Sequence, residues 1–136
     1  MRIMAFDYGT KRLGIAVTDP LQLIATSLKT LHPDAIWDFL TEYFKTEEVV
    51  TFVVGSPKQM DGTESQSAQH VRGFIRKLRK RFPNIPVVEV DERFTSKIAQ
   101  RTITESGLKR RLHDKGLVDS ISATIILQSY MQSKSS

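Results

Sequence analysis

The order of strand and helix signals along this sequence of 136 residues predicts an α/β fold, a mixed five-stranded sheet flanked by helices. Two short apolar runs near the N-terminus lie too close together for a helical crossover, so we expect an antiparallel hairpin. Later apolar runs alternate with helical patterns, which favours parallel strands joined by right-handed crossovers. The length suits one domain, which we place at residues 1–131, with a frayed polar tail at 132–136.

The first half of the sequence predicts an antiparallel three-stranded meander followed by a helix. Strands are expected over 2–6, 13–17 and 23–28, separated by Gly and Pro turn signals. Pro33 suits the first turn of the helix that follows. The apolar residues of that helix recur at helical spacing on one face, namely Ile36, Phe39, Leu40 and Phe44.

The second half of the sequence alternates strands and helices. The run at 49–54 is almost wholly apolar and rich in β-branched residues, which is typical of a central buried strand. The small residues Ser120, Ser122 and Ala123 should let the last helix approach the sheet closely. The remaining elements are a helix at 64–82, a strand at 85–90, a helix from Thr95 or Ser96 to about Glu105, a basic loop at 107–115 and a last helix at 117–131.

Charge is divided unequally along the chain. Residues 1–68 carry 6 Lys and Arg against 9 Asp and Glu, whereas residues 69–136 carry 14 against 6. The basic half points to a polyanionic partner, with a merely solubilising surface as the alternative. The absence of cysteine excludes disulfides, thiolate metal sites and a cysteine nucleophile. Because neither a targeting segment nor a membrane-length apolar run is evident, we expect a cytoplasmic protein with no membrane partner.

Acidic residues stand where ligands bind in open α/β sheets, at the carboxyl ends of predicted strands. Asp7 follows the first strand, Glu92 follows the fifth, and Asp119 lies near the start of the last helix. Each has a structural alternative, because Asp is common in turns and acids stabilise helix N-termini. Asp91 competes with Glu92, since side chains alternate along a strand and only one of the two can point toward Asp7.

Three carboxylates in a chain without thiols suit a hard cation, Mg²⁺ or Mn²⁺, which takes oxygen ligands and leaves room for phosphate oxygens. Such a site hydrolyses phosphodiesters, so Asp7, Glu92 and Asp119 are predicted to be both metal ligands and catalytic residues of a nuclease. Trp37 is interpreted as a packing residue and His70 as a surface residue. The residues predicted to hold substrate phosphates are Lys11, Arg12, Arg93, Arg72, Arg76, Arg79, Lys109, Arg110 and Arg111.

Four segments of the sequence resemble a known family. They are FDYGTKRLGIAVTD at 6–19, VVGSPKQMDGTESQSA at 53–68, VDERFTS with Ala99 at 90–99, and KGLVDSISATIIL at 115–127. Together, and in this order, they resemble the bacterial YqgF family, also called RuvX. The resemblance implies an RNase H-like fold related to the RuvC resolvases, and a nuclease of ribosome biogenesis that matures the 5′ end of pre-16S ribosomal RNA. The acidic residues of the family fall on Asp7, Glu92 and Asp119.

Three other functions compete with an RNA nuclease. The same chemistry on structured DNA, as in a Holliday junction resolvase, would imply a homodimer, whereas the sequence alone is compatible with a monomer or a homodimer. A non-catalytic RNA-binding assembly factor would use the basic surface while the acids serve as turns and caps. An ATPase of the actin and sugar-kinase type is disfavoured by length, since such proteins hold ATP between two domains of this kind.

Overall fold

The secondary structure is an alternation of strands and helices. The computed structural model describes residues 1–56, 68–91 and 115–135. The strands are β1 (Arg2–Tyr8), β2 (Leu13–Thr18), β3 (Ala25–Leu31), β4 (Val49–Ser56) and β5 (Val87–Asp91). The helices in these ranges are α1 (Ile36–Tyr43), preceded by a 3₁₀ turn at Pro33–Ala35, then α2 (Ala68–Arg81) and α3 (Lys115–Ser135).

All five strands form one sheet in the order β3-β2-β1-β4-β5. β1 lies at its centre and pairs antiparallel with β2, with Asp7 opposite Gly14. β1 also pairs parallel with β4, which aligns Phe6 with Val54, and β4 pairs parallel with β5. The predicted mixed sheet, a three-stranded antiparallel meander plus parallel strands, is therefore confirmed.

The sheet separates two apolar layers. Alternation along β1 sends Met4 and Phe6 to the face covered by α1 and α2, and Ile3 and Ala5 to the face covered by α3. On α3, Ala123 is fully buried among the residues of the second layer. Small side chains thus bring this helix close to the sheet, as the sequence predicts.

Aromatic rings dominate the layer beneath α1 and α2. Phe52 of β4 is fully buried. Its ring centroid lies 5.5 Å from that of Phe6, 6.1 Å from that of Phe44 and 5.7 Å from that of Phe82. Such pairs contribute about 0.5–1.5 kcal/mol each beyond the area that they bury. Trp37 packs against the same layer, which agrees with the role predicted for it.

Several element boundaries differ from the sequence-based ones. β1 continues through Asp7 and Tyr8, because both residues pair with β2. α3 continues to Ser135 instead of ending at 131, since the polar residues there include no helix breaker. The helix predicted from Thr95 or Ser96 lies outside the described residues, as does all of the predicted loop except Lys115. No helix in the described ranges is long and apolar enough to cross a lipid bilayer.

β3 begins at Ala25, two residues later than expected, because Asp19 organises the preceding turn. Its carboxylate accepts hydrogen bonds from the backbone N–H groups of Leu21 at 3.1 Å, Leu23 at 2.8 Å and Ile24 at 2.7 Å. These bonds withdraw Leu23 and Ile24 from strand pairing. These hydrogen bonds favour the charged form of the carboxylate, so they lower the pKa of Asp19. The bond from Ile24 has the largest effect, and those from Leu23 and Leu21 add to it.

We expect Asp19 to make the stability of the fold depend on pH in the acid range. Its pKa is lower in the folded chain than in the unfolded chain, so its contribution is complete above about pH 4 and is lost as the pH falls through the folded value. Thermal unfolding of the native chain and of Asp19→Asn, followed from neutral to acid pH, measures this contribution. The stability difference between the two proteins should shrink below about pH 4; a difference that stays constant with pH would contradict the assignment.

Candidate active site

The parallel strands β1, β4 and β5 end at one edge of the sheet, which we call the carboxyl edge. Asp7 is the last but one residue of β1 and is half-buried there. Because alternation continues from Ile3 and Ala5, Asp7 belongs to the face covered by α3. β5 ends at Asp91 and lies two strands from β1, so the backbones of β1 and β5 are about 10 Å apart.

The direction of α3 places its first turns at the same edge. Met131 and Lys134, near the end of α3, line a small cavity with Ile3 at the opposite end of β1. Asp119 precedes Met131 by twelve residues, or about 18 Å of helix, whereas Ile3 to Asp7 spans about 13 Å of strand. The backbone of Asp119 therefore lies toward the carboxyl edge, on the face of the sheet to which Asp7 belongs.

The metal site predicted from the sequence is only partly within the described residues. Glu92 lies outside them, as do Arg93, Lys109, Arg110 and Arg111. No three His, Asp or Glu side chains in the described part of the chain form a metal-binding cluster. The donor that is described fits the predicted ion, because the Asp7 carboxylate supplies the oxygen ligands that Mg²⁺ and Mn²⁺ prefer.

A tight turn beside Asp7 presents two cations. Residues 9–12 join β1 to β2, and the side chains of Lys11 and Arg12 are exposed at the carboxyl edge. The turn is so narrow that a Cβ atom on Gly9 would lie 2.7 Å from the carbonyl oxygen of Arg12. Glycine is thus required by the close approach of two backbone segments.

Replacing Gly9 with Ala should open this turn and destabilise the protein by about 1–3 kcal/mol, because the new Cβ atom would collide with backbone and one of the two segments would have to shift. Urea unfolding measures the change. Gly73→Ala is the matched control: a Cβ there meets nothing within 4 Å, so the substitution should stabilise α2 by about 0.5–1 kcal/mol. Equal effects of the two substitutions would show that the turn tolerates a side chain.

The basic residues predicted on α2 lie together along that helix. Arg72, Arg76 and Arg79 are exposed and line a shallow groove of about 220 Å³ with Glu89 of β5. They lie on the face of the sheet opposite to α3, so they do not surround Asp7. α2 carries six Lys and Arg and no acidic residue, which makes it a strongly positive surface on that face of the sheet.

Sequence reasoning missed a second groove, at the end of β1 between α1 and α2. Tyr8, Trp37 and His70 line it, although the sequence assigned Trp37 only to packing and His70 only to the surface. A sequence signal did exist, because Gly73 interrupts an otherwise strong helix pattern. Glycine in a helix interior costs about 0.5–1 kcal/mol relative to alanine and so calls for a reason.

Comparisons with known proteins agree with this architecture. The model of the RuvX family, described as Holliday junction resolvase, matches residues 1–133. A relative from Bacteroides fragilis named "Putative pre-16S rRNA nuclease" is 51% identical over 134 residues, which cover 98% of this chain and 97% of the relative. A protein of the same name from Porphyromonas gingivalis is 52% identical over 131 residues, which cover 96% of this chain and 95% of the relative.

Solved structures of similar fold are more distant in sequence. The fowlpox virus resolvase, solved with substrate Holliday junction DNA, has a TM-score of 0.57 and 15% identity, and the match covers 98% of this chain and 99% of the resolvase. RuvC of T. thermophilus, in complex with a Holliday junction substrate, has a TM-score of 0.52 and 18% identity, with 96% of each chain covered. Both confirm the predicted RNase H-like fold. Because the family model matches nearly the whole chain, this protein belongs to the RuvX family.

Proposed function

We propose that this chain is a divalent-metal-dependent nuclease that processes the 5′ end of precursor 16S ribosomal RNA in the bacterial cytoplasm. The relatives that share about half of its residues over nearly its full length carry the name of such a nuclease. The names of the family and of these relatives describe hydrolases of phosphodiester bonds. The strongly basic helix α2 supports a nucleic acid as the substrate.

One placement carries the proposal: Asp7 and the first turns of α3 lie at the same edge and on the same face of the sheet. We propose Asp119 as the acid that α3 contributes. Val90 belongs to the α3-side layer, and side chains alternate along a strand. Because Glu92 follows Val90 by two positions and Asp91 follows it by one, we propose Glu92 as the acid contributed after β5.

In this proposal Asp7, Glu92 and Asp119 hold Mg²⁺ or Mn²⁺, which when bound supplies an activated water and neutralises charge at the scissile phosphate. The residues of the chain position the substrate. Lys11 and Arg12, exposed at the carboxyl edge, attract the phosphates beside the cleaved bond. The α2 arginines hold phosphates farther along the RNA strand. Each should therefore contribute roughly one unit to the slope of the logarithm of affinity against the logarithm of salt concentration.

Structured DNA is the second candidate substrate. The family description names Holliday junctions, and two proteins of similar fold were solved with such junctions. Resolution of a four-way junction cuts two strands, so this function would require a homodimer. RNA remains the first choice, because the relatives at about 50% identity are named for RNA, whereas the resolvases share only 15% and 18% of residues.

Cleavage of a precursor 16S RNA fragment and of a four-way DNA junction, compared at one fixed salt concentration, tests the proposal. We expect cleavage of the RNA with Mg²⁺ or Mn²⁺ and none with excess chelator. Salt is held constant because affinities for nucleic acids at different salt concentrations cannot be compared.

Each other outcome selects a different function. Preferential cleavage of the junction by a dimeric protein would favour the resolvase. A lack of cleavage of either substrate, together with a lack of divalent-ion binding in calorimetry when RNA is present, would overturn the nuclease and favour a non-catalytic assembly factor.

A further inference from the structure

A groove that the catalytic proposal does not use opens at the end of β1, on the face of the sheet opposite to Asp7. It lies between the first turns of α1 and α2, has a volume of about 230 Å³, and is lined by Tyr8, Trp37 and Phe74, of which Phe74 is buried. The guanidinium of Arg81 lies 4.7 Å from the centroid of the Trp37 ring. The Tyr8 and Phe74 rings stack with centroids 4.9 Å apart, and Trp37 lies 5.9 Å from Phe74. The aromatic wall is therefore held in place by the core beneath it.

Gly73 gives this groove its depth. It lines the groove from the middle of α2, and a Cβ atom there would meet nothing within 4 Å. Packing thus provides no reason for glycine at a helix position where alanine is more favourable. A larger side chain at position 73 would instead project into open space, on the side of α2 where the groove lies.

The polar groups of the groove include both signs of charge and both hydrogen-bonding roles. Lys77 supplies a cation, Asp34 an anionic acceptor, and His70 a ring nitrogen. Tyr8 carries a phenolic hydroxyl, which can donate or accept a hydrogen bond. Aromatic faces beside a cation and mixed donors and acceptors match the recognition of unpaired nucleobases.

We propose that this groove binds one unpaired base of the RNA substrate, stacked against the half-buried rings of Tyr8 and Trp37, while Lys77 attracts an adjoining phosphate. The proposal deepens the nuclease function proposed above and depends on it for the identity of the strand. Tyr8 directly follows Asp7 at the end of β1, but its ring belongs to the layer covered by α1 and α2, whereas Asp7 belongs to the face covered by α3. A strand cleaved at Asp7 would therefore have to pass over the carboxyl edge for one of its bases to enter the groove. The volume is below the roughly 300–1,000 Å³ of pockets for larger ligands, which favours a single ring system.

Trp37 is the only tryptophan of the chain and lines the groove, so its fluorescence reports occupancy directly. The experiment titrates the full chain with adenosine 5′-monophosphate and with ribose 5-phosphate, both in excess chelator. We expect a saturable change with the nucleotide and none with the sugar phosphate. The same contrast should hold for a short oligoadenylate and an equivalent strand without bases. Equal responses to both members of a pair, or no response to any probe, would overturn the proposal.

Gly73→Leu fills the groove with a side chain that favours helix, and should weaken nucleotide binding by about tenfold or more. Gln128→Leu, which adds the same side chain to an exposed position on α3, is the control and should leave binding unchanged. His70→Ala is a second variant in case Gly73→Leu fails to fold, and it should also weaken binding. Unchanged binding in both groove variants would contradict the proposal.

Because binding is measured without divalent ions, its failure is separate from failure of the nuclease function. If the chain binds the nucleotide but cleaves no RNA, base binding in the groove is supported and the proposed nuclease function is overturned. Normal cleavage of RNA by Gly73→Leu with an unchanged KM would retain the nuclease and overturn the groove as a substrate subsite.

Discussion

Replacing Asp7 with Asn is expected to lower kcat/KM for cleavage of precursor RNA by at least about 100-fold while the fold is retained. The substitution keeps the size of the side chain but removes the charge that the proposed metal site requires. A bound metal ion contributes several kcal/mol to transition-state stabilisation, and each 1.36 kcal/mol is tenfold in rate. Single-turnover cleavage with Mg²⁺ measures the loss, and calorimetry with Mn²⁺ measures the accompanying loss of metal affinity.

Asp38→Asn is the matched control for this prediction. It makes the same change of charge at an exposed position in the first turn of α1, on the face of the sheet opposite to Asp7. We expect activity close to that of the native chain. Undiminished cleavage by a folded Asp7→Asn protein would exclude Asp7 from the metal site and, with it, the geometry proposed for the carboxyl edge.

Replacing Phe52 with Ala should have the largest effect on stability, a loss of about 3–5 kcal/mol. The side chain is fully buried, and its ring contacts three other phenylalanines from β1, from the end of α1 and from the end of α2. Truncation leaves a cavity that these rings can fill only in part. Since domains of this size are stable by about 5–15 kcal/mol, the variant should unfold at a much lower urea concentration.

The same substitution at a half-buried ring provides the comparison. Phe39 of α1 stacks on Tyr43 with centroids 5.8 Å apart, but it packs only at the margin of the core. Phe39→Ala should therefore cost clearly less than Phe52→Ala in the same urea titration. Similar losses of stability at the two positions would contradict the assignment of Phe52 to the centre of the apolar layer beneath α1 and α2.

Much of the fold is determined by local patterns that a sequence displays. The β-branched run of β4 and the short spacing between β1 and β2 specify a central parallel strand and an antiparallel hairpin. The first residue of β3 is harder to predict from the sequence. The apolar residues Leu23 and Ile24 fit a strand, but hydrogen bonds to the carboxylate of Asp19 hold them in a turn. The end of α3 was missed because composition, not geometry, suggested a frayed tail.

The candidate site divides in the same way. Asp7 could be identified from its position after an apolar run, and the structure places it at the carboxyl edge with the first turns of α3. The groove between α1 and α2 could not be identified, since Tyr8, Trp37 and His70 are far apart in sequence and meet only in the tertiary structure. The roles of Glu92 and Asp119 remain predictions of the sequence and of the family resemblance.

The position of α3 has a consequence for the synthesis of this protein. The ribosome makes α3 after every strand that the helix covers, so a growing chain that has completed β5 still exposes Ile3, Ala5 and Val53 on one face of the sheet. That layer can close only when residues 115–135 have emerged. Asp119 belongs to the same segment. A nascent chain would therefore gain its second core layer and its proposed activity in one step, and an unfinished copy could not cut RNA beside the ribosome that is making it.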